Sequence, residues 1–263
     1  MDQNKKFKLV SSKKTRYLLP NILTLGGVCL GISSIKFSID GNFSLAVTLI
    51  LLAAILDALD GRVARLIKGT SEFGKELDSL TDFVSFGIAP VLILYFWELN
   101  SYGKLGWAIA LIYSVCCVLR LARFNLTKFD ENDEWKMNFF QGIPSPAGGC
   151  LVLFPIMFEL SFFSNFLQIK NLSPFLVVLT SFLLISKIPT FSFKKIAVQR
   201  RTTLFLLLGF GLFFVSIIQF TYETMTICCL IYLILIPISI YNYRFKIKSA
   251  KNEITEEDQR DIL

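Results

Sequence analysis

The sequence predicts an all-α, polytopic membrane helix bundle, and three observations carry that expectation. Only 18% of the 263 residues are charged and 54% are hydrophobic, 26 of them phenylalanine, whereas an average soluble domain has about 25% charged residues. The apolar residues gather into continuous runs instead of alternating with polar ones, as a lipid-facing helix requires. The cations, finally, fall between those runs, in alternate connections. A mean hydropathy of +0.59 agrees.

A bilayer core takes about 20 apolar residues per crossing helix. Eight stretches qualify, at 18–38, 43–59, 81–97, 105–124, 146–162, 172–188, 204–220 and 224–241. The first follows a basic tail; it is too long for a removable signal peptide and lacks a small-residue cleavage site. The second and third flank an acidic segment, and the fourth ends in the cationic stretch Leu119 to Asn125. Pro144 and Pro146 open the fifth and fix its start. The sixth precedes a cationic connection at 187–201, and the last two form a short helical hairpin. The expected organisation is a basic cytoplasmic tail (1–17), a transmembrane domain (18–241) and a polar cytoplasmic tail (242–263).

With eight crossings, 24 of the 27 Lys and Arg residues fall on one side, leaving only Lys36, Lys104 and Lys170 on the other. Positive charge of that asymmetry marks the cytoplasmic face and places both termini there. The net charge of +7 is then a record of topology, and no nucleic-acid partner is expected. The tail from Lys5 to Arg16 suits anionic headgroups, at about 1 kcal/mol per cation near the surface. The complete lack of histidine excludes Ser-His-Asp and Cys-His catalysts and His-ligated metals. All six cysteines lie in apolar runs without CxxC spacing and read as small core residues.

Chemistry must therefore rest on other groups, and the stretch LDALDGRVARLIKGTSEFGKELDSLTD, Leu56 to Asp82, supplies them. Asp57 and Asp60 stand at i and i+3 near the end of the second run. Asp78 and Asp82 stand at i and i+4 as the third begins. Each pair shares a helix face. On antiparallel neighbours the four carboxylates converge at the membrane edge, where unpaired charge is costly. Such a cluster of hard oxygens suits Mg²⁺ or Mn²⁺, and two such ions serve phosphoryl chemistry. Gly61 and Gly74 let a ligand approach the backbone, and Arg65 offers a guanidinium for a phosphate oxygen. The residues themselves thus read as a metal-dependent membrane enzyme acting on a phosphorylated substrate at the cytoplasmic surface. A cation-coupled transporter would put acids near the bilayer midplane, in paired halves, and no halves repeat here.

Asp57, Asp60, Gly61, Ala64, Arg65, Gly74, Asp78 and Asp82 match the signature D-x2-D-G-x2-A-R-x8-G-x3-D-x3-D at every fixed position. The chain thereby resembles the CDP-alcohol phosphatidyltransferases. The resemblance implies displacement of CMP from a CDP-linked lipid by an alcohol. It implies that the four aspartates hold two divalent ions and that Asp82 doubles as general base. Asp60, Gly61, Ala64, Arg65 and Gly74, with Asn21 and Thr24 of the first helix, would shape the CDP-lipid site. The signature leaves the acceptor open among serine, inositol, glycerol phosphate, choline and phosphatidylglycerol.

Three further segments, PNILT (Pro20 to Thr24), LRLARFN (Leu119 to Asn125) and QGIPSPAGG (Gln141 to Gly149), resemble the membrane-integral bacterial phosphatidylserine synthases of that family. Arg120 and Arg123, at i and i+3, suit the carboxylate of L-serine, with Asn125 as an amide partner. L-serine and CDP-diacylglycerol are therefore the expected substrates, with another family acceptor as the alternative. The resemblance also implies a homodimer, and short tails fit a bacterial inner membrane.

Overall fold

The computed structural model describes residues 18–67, 71–126, 139–165, 169–186, 188–191 and 200–260. The basic tail at 1–17 lies outside them, as do parts of the cationic connections at 127–138 and 192–199. In order the elements are α1 (Leu18–Ile39), α2 (Phe43–Leu66), α3 (Glu72–Asp82), a π-helical turn (Phe83–Ile88), α4 (Ala89–Trp97), α5 (Lys104–Leu126), β1 (Phe139–Gln141), α6 (Ser145–Leu160), α7 (Ser173–Ile185), β2 (Pro189–Phe191), α8 (Arg200–Gln219) and α9 (Thr221–Arg260).

The architecture is helical, and an apolar helix occupies each of the eight expected places. Five helical segments have the length and composition to cross a bilayer: Leu18–Ile39, Phe43–Leu66, Glu72–Trp97, Lys104–Leu126 and Thr221–Tyr243. The other three are shorter. α6 has 16 residues and α7 has 13, or about 24 and 20 Å at 1.5 Å per residue; the apolar part of α8 is Leu207–Gln219. α6 is buried on every side, Leu151 through Met157 being a continuous run of buried residues. A helix apolar all round belongs at the centre of a bundle.

α1 reaches its neighbours through a stripe of small residues. Its buried positions are Pro20, Thr24, Gly27, Gly31, Ser34 and Ser38, spaced by three or four, the pattern that lets helices approach closely in lipid. The approach is tight: a Cβ on Gly31 would lie 2.8 Å from Ser85 Oγ and 3.0 Å from Ser85 Cα. Ser85 Oγ in turn donates to the Gly27 carbonyl at 3.1 Å.

Two elements differ from the sequence expectation. The third helix starts at Glu72 instead of Thr81, capped by Ser71, whose side chain accepts from Gly74 N. Hydropathy marks where a helix is apolar, and this amphipathic first part is not. The polar stretch expected as a tail after Tyr241 is helical, α9 continuing to Arg260. Beyond Pro237 that segment contains neither Pro nor Gly and carries several Lys and Glu, which favour helix. A short antiparallel pair, Phe139 to Gln141 with Pro189 to Phe191, ties the segment before α6 to the end of α7. Gly142 leaves it at φ +74°, the left-handed region open to glycine, and its N–H donates to the Ile188 carbonyl at 2.8 Å.

Candidate active site

The site forms where the C-terminal part of α2 meets α3. Asp57, Asp60 and Asp78 each present a carboxylate oxygen, all within 4.8 Å of one another. The i, i+3 spacing on α2 and the crossing of α3 bring them together as their helical positions require. Asp60 is buried and accepts a 2.6 Å hydrogen bond from Thr24 Oγ1 of α1. Asp82 lies beside Asp57. Its Oδ2 accepts from Ser145 Oγ at 2.5 Å, and its Oδ1 is buried without a hydrogen-bond partner.

Among the described residues no Lys or Arg forms an ion pair with any of these four carboxylates; the pairs present are Lys36 with Asp40 and Lys75 with Glu72. Like charges so close, one of them with an oxygen hidden from both water and donors, call for a cation among them. Oxygen-only donors in this number fit Mg²⁺ or Mn²⁺. The fit is to the residues themselves: converging carboxylates plus one orphaned oxygen.

Beside the acids lies an open cleft of about 540 Å³, lined by Pro20, Asn21, Thr24, Asp60, Gly61, Ala64, Ser71, Gly74, Lys75 and Asp78. It gathers Asn21, Thr24, Gly61, Ala64 and Gly74, five of the positions expected around a CDP-lipid, from three separate helices. Gly61 leaves room, for a Cβ there would meet nothing within 4 Å. Gly74 sits against Asn21, whose Oδ1 would be 3.3 Å from a Cβ. Arg65 does not line the cleft; it is exposed, and its Nε donates to the Gly61 carbonyl one turn back at 2.9 Å.

The acceptor-side residues separate. Arg120 Nη1 donates to Ser145 Oγ at 2.8 Å, and its guanidinium sits over the Phe124 ring at 5.5 Å. Asn125 Nδ2 donates to Ser79 Oγ at 3.0 Å, next to Asp78 on α3. Arg123 points elsewhere, donating from Nη1 to the Ile185 carbonyl at the end of α7 at 2.7 Å. Ser145, Ser71 and Lys75 were not singled out from sequence. Ser145 lies in QGIPSPAGG, a segment that carries part of the resemblance, but nothing in its spacing links that hydroxyl to Asp82. Lys75 lines the cleft yet pairs with Glu72 and not with the acids.

Residues 17–173 match the family model described as CDP-alcohol phosphatidyltransferase, and 201–237 match one described as CDP-alcohol phosphatidyltransferase 2. Over 229 residues, 87% of this chain and 76% of the relative, the sequence is 36% identical to a CDP-diacylglycerol–serine O-phosphatidyltransferase of Mycobacterium leprae. A protein of the same name from Helicobacter pylori is 37% identical over 201 residues, 76% of this chain and 82% of the relative. One from Bacillus subtilis is 35% identical over 186 residues, 69% of this chain and 94% of the relative. With that family model spanning more than half of it, and relatives this similar over most of its length, the chain belongs to the CDP-alcohol phosphatidyltransferase family.

Proposed function

We propose that this chain transfers the phosphatidyl group of CDP-diacylglycerol to the hydroxyl of L-serine, yielding phosphatidylserine and CMP. The observation that carries the reading is the convergence of Asp57, Asp60 and Asp78 beside a cleft walled by Asn21, Thr24, Gly61, Ala64 and Gly74. Relatives that share most of the chain bear the name of this reaction.

The cleft accepts the cytidine diphosphate part, with the two glycines giving a flat group access to backbone. Asp57, Asp60, Asp78 and Asp82 would hold two Mg²⁺ or Mn²⁺ ions against the diphosphate. Bound there, divalent ions draw off charge and make CMP a better leaving group. The serine hydroxyl oxygen attacks the phosphorus on the lipid side. The bond from that phosphorus to the bridging oxygen breaks, CMP departs with that oxygen, and the hydroxyl proton passes to the Asp82 carboxylate. Asp82 is the natural base because one of its oxygens has no other partner.

Arg120, Arg123 and Asn125 are the proposed acceptor side. Two of them lean on the acid helix, Arg120 through Ser145 and Asn125 through Ser79. A guanidinium carries five donors, so Arg120 retains N–H groups for a carboxylate after its bond to Ser145. Arg65 is proposed to swing from the Gly61 carbonyl to a phosphate oxygen when the nucleotide lipid binds. In the membrane we infer eight crossings with both termini and the site at the cytoplasmic face of a bacterial inner membrane, supported by the distribution of 24 of 27 cations. A homodimer is proposed on family resemblance.

The test is an acceptor competition. Purified protein with Mn²⁺ or Mg²⁺, CDP-diacylglycerol and radiolabelled serine is expected to yield labelled phosphatidylserine and stoichiometric CMP. Incorporation of inositol, glycerol 3-phosphate or choline with serine ignored would overturn the acceptor assignment.

A further inference from the structure

Three elements meet at Asp82, and they do so through one hydroxyl. Ser145 is the first residue of α6 and wholly buried. Its Oγ donates to Asp82 Oδ2 at 2.5 Å and accepts from Arg120 Nη1 at 2.8 Å. A serine hydroxyl has one proton to give. The Arg120 donation occupies its acceptor side, so that proton is directed to Asp82. Arg120 is itself held, its guanidinium stacked over Phe124 on the same helix. The chain of bonds Arg120 to Ser145 to Asp82 therefore has one direction and no slack.

This arrangement distinguishes the two oxygens of Asp82. Oδ2 is committed to Ser145, while Oδ1 is buried and receives no donor, with the Asp57 carboxylate alongside. Without Ser145 the carboxylate could turn about its χ2 torsion, which is broad for an aspartate. With Ser145 it is fixed with one oxygen withdrawn and one left over. No direct Arg120–Asp82 ion pair forms, the hydroxyl standing between them.

We propose that Ser145 is a positioning residue for Asp82, holding the carboxylate through Oδ2, with Arg120 behind it, so that Oδ1 alone is presented to the reacting hydroxyl. The proposal rests on the transferase reading and on Asp82 as its base. It adds that the start of α6, a place with no signature residue, sets the base's orientation, and that Arg120 acts at least partly through Ser145.

The experiment compares Ser145→Ala, Ser145→Thr, Arg120→Lys and the double variant Ser145→Ala/Arg120→Lys with wild type in the complete protein in detergent. Positioning predicts that Ser145→Ala lowers kcat about 30-fold, or about 2 kcal/mol, while KM for serine stays within about threefold. Affinity for the first Mn²⁺, the one assigned to the cluster of Asp57, Asp60 and Asp78 and read by electron paramagnetic resonance without substrate, stays within about threefold, because those three carboxylates are untouched. Ser145→Thr, which keeps the hydroxyl, recovers kcat to within about fivefold. At saturating serine the double variant loses no more kcat than Ser145→Ala alone, since for Asp82 both changes lie on one path.

A rise in serine KM with kcat preserved would make Ser145 an acceptor contact and overturn the proposal. A parallel loss of affinity for that first Mn²⁺, additive kcat losses in the double variant at saturating serine, or wild-type kcat in Ser145→Ala would overturn it equally. Should Ser145→Thr fold poorly by thermal melting, the Mn²⁺ and double-variant results decide alone. Failure of the wild-type protein to release CMP with any acceptor would instead sink the transferase reading, a result visible before any variant is made.

Discussion

Gly61 sits inside α2, where glycine costs about 1 kcal/mol relative to alanine, yet a Cβ at that position would meet nothing within 4 Å. The fold has no use for a glycine there; the cleft does. Gly61→Ala is therefore expected to raise the melting temperature slightly while weakening CDP-lipid binding at least tenfold, or about 1.4 kcal/mol, with calorimetry checking both. Asp82→Asn should abolish turnover and leave CDP-lipid affinity within about tenfold, because Asp82 is absent from the cleft lining; loss of both together would make it chiefly a metal ligand. Asp57, Asp60, Gly61, Gly74 and Asp78 were legible in the sequence because their spacing is itself the geometry of two helix faces. Ser145 was not, since its importance lies in touching Asp82, 63 positions away. Arg65 shows the converse: its spacing is right for the site, but its Nε bonds locally to Gly61.

At the scale of elements, the site depends on how closely α1 can approach α3. Thr24 is held against Asp60, and Asn21 against Gly74, by a helix whose buried face is small throughout. Gly31→Val would push methyl groups into the Ser85 backbone, 3.0 Å from a Cβ, and overpacking of this kind costs about 1–3 kcal/mol. The expected result is a lower melting temperature together with weakened CDP-lipid binding, because the displaced helix carries both contacts. The apolar runs located every helix, but not where each begins. Ser71 and Glu72 start α3 nine residues before its hydrophobic part, and an apolarity scan does not register a cap. The π-helical turn directly after Asp82 had no signal at all, as it arises from tertiary contacts of Ser85 and Gly87 with α1 and α5.

For the whole molecule, the proposed ion among the clustered acids ties stability to divalent cations. Chelation with EDTA should abolish turnover and lower the melting temperature, and Mn²⁺ at about 100 times its Kd should restore about 2.7 kcal/mol. The inferred topology predicts that a green fluorescent protein fused after Leu263 will fluoresce in a bacterial host. It also predicts that a cysteine at Asn100, in the turn between α4 and α5, will react with an impermeant maleimide from outside. The places of the apolar helices were within reach of the sequence, whereas the short central α6 was not, because burial by neighbours, unlike hydropathy, is a property of the assembled bundle. The π turn gives that assembly a change of phase. An α-helix advances about 100° per residue, so the surplus residue in Phe83–Ile88 sets Asp78 and Asp82 on one azimuth and the apolar residues of α4 on another. Deleting a single residue there would restore a regular helix and rotate the catalytic half against the bilayer half by roughly that angle. One continuous rod thus serves as two independently aimed surfaces, and its irregular turn is the joint that keeps chemistry and anchorage from competing for the same face.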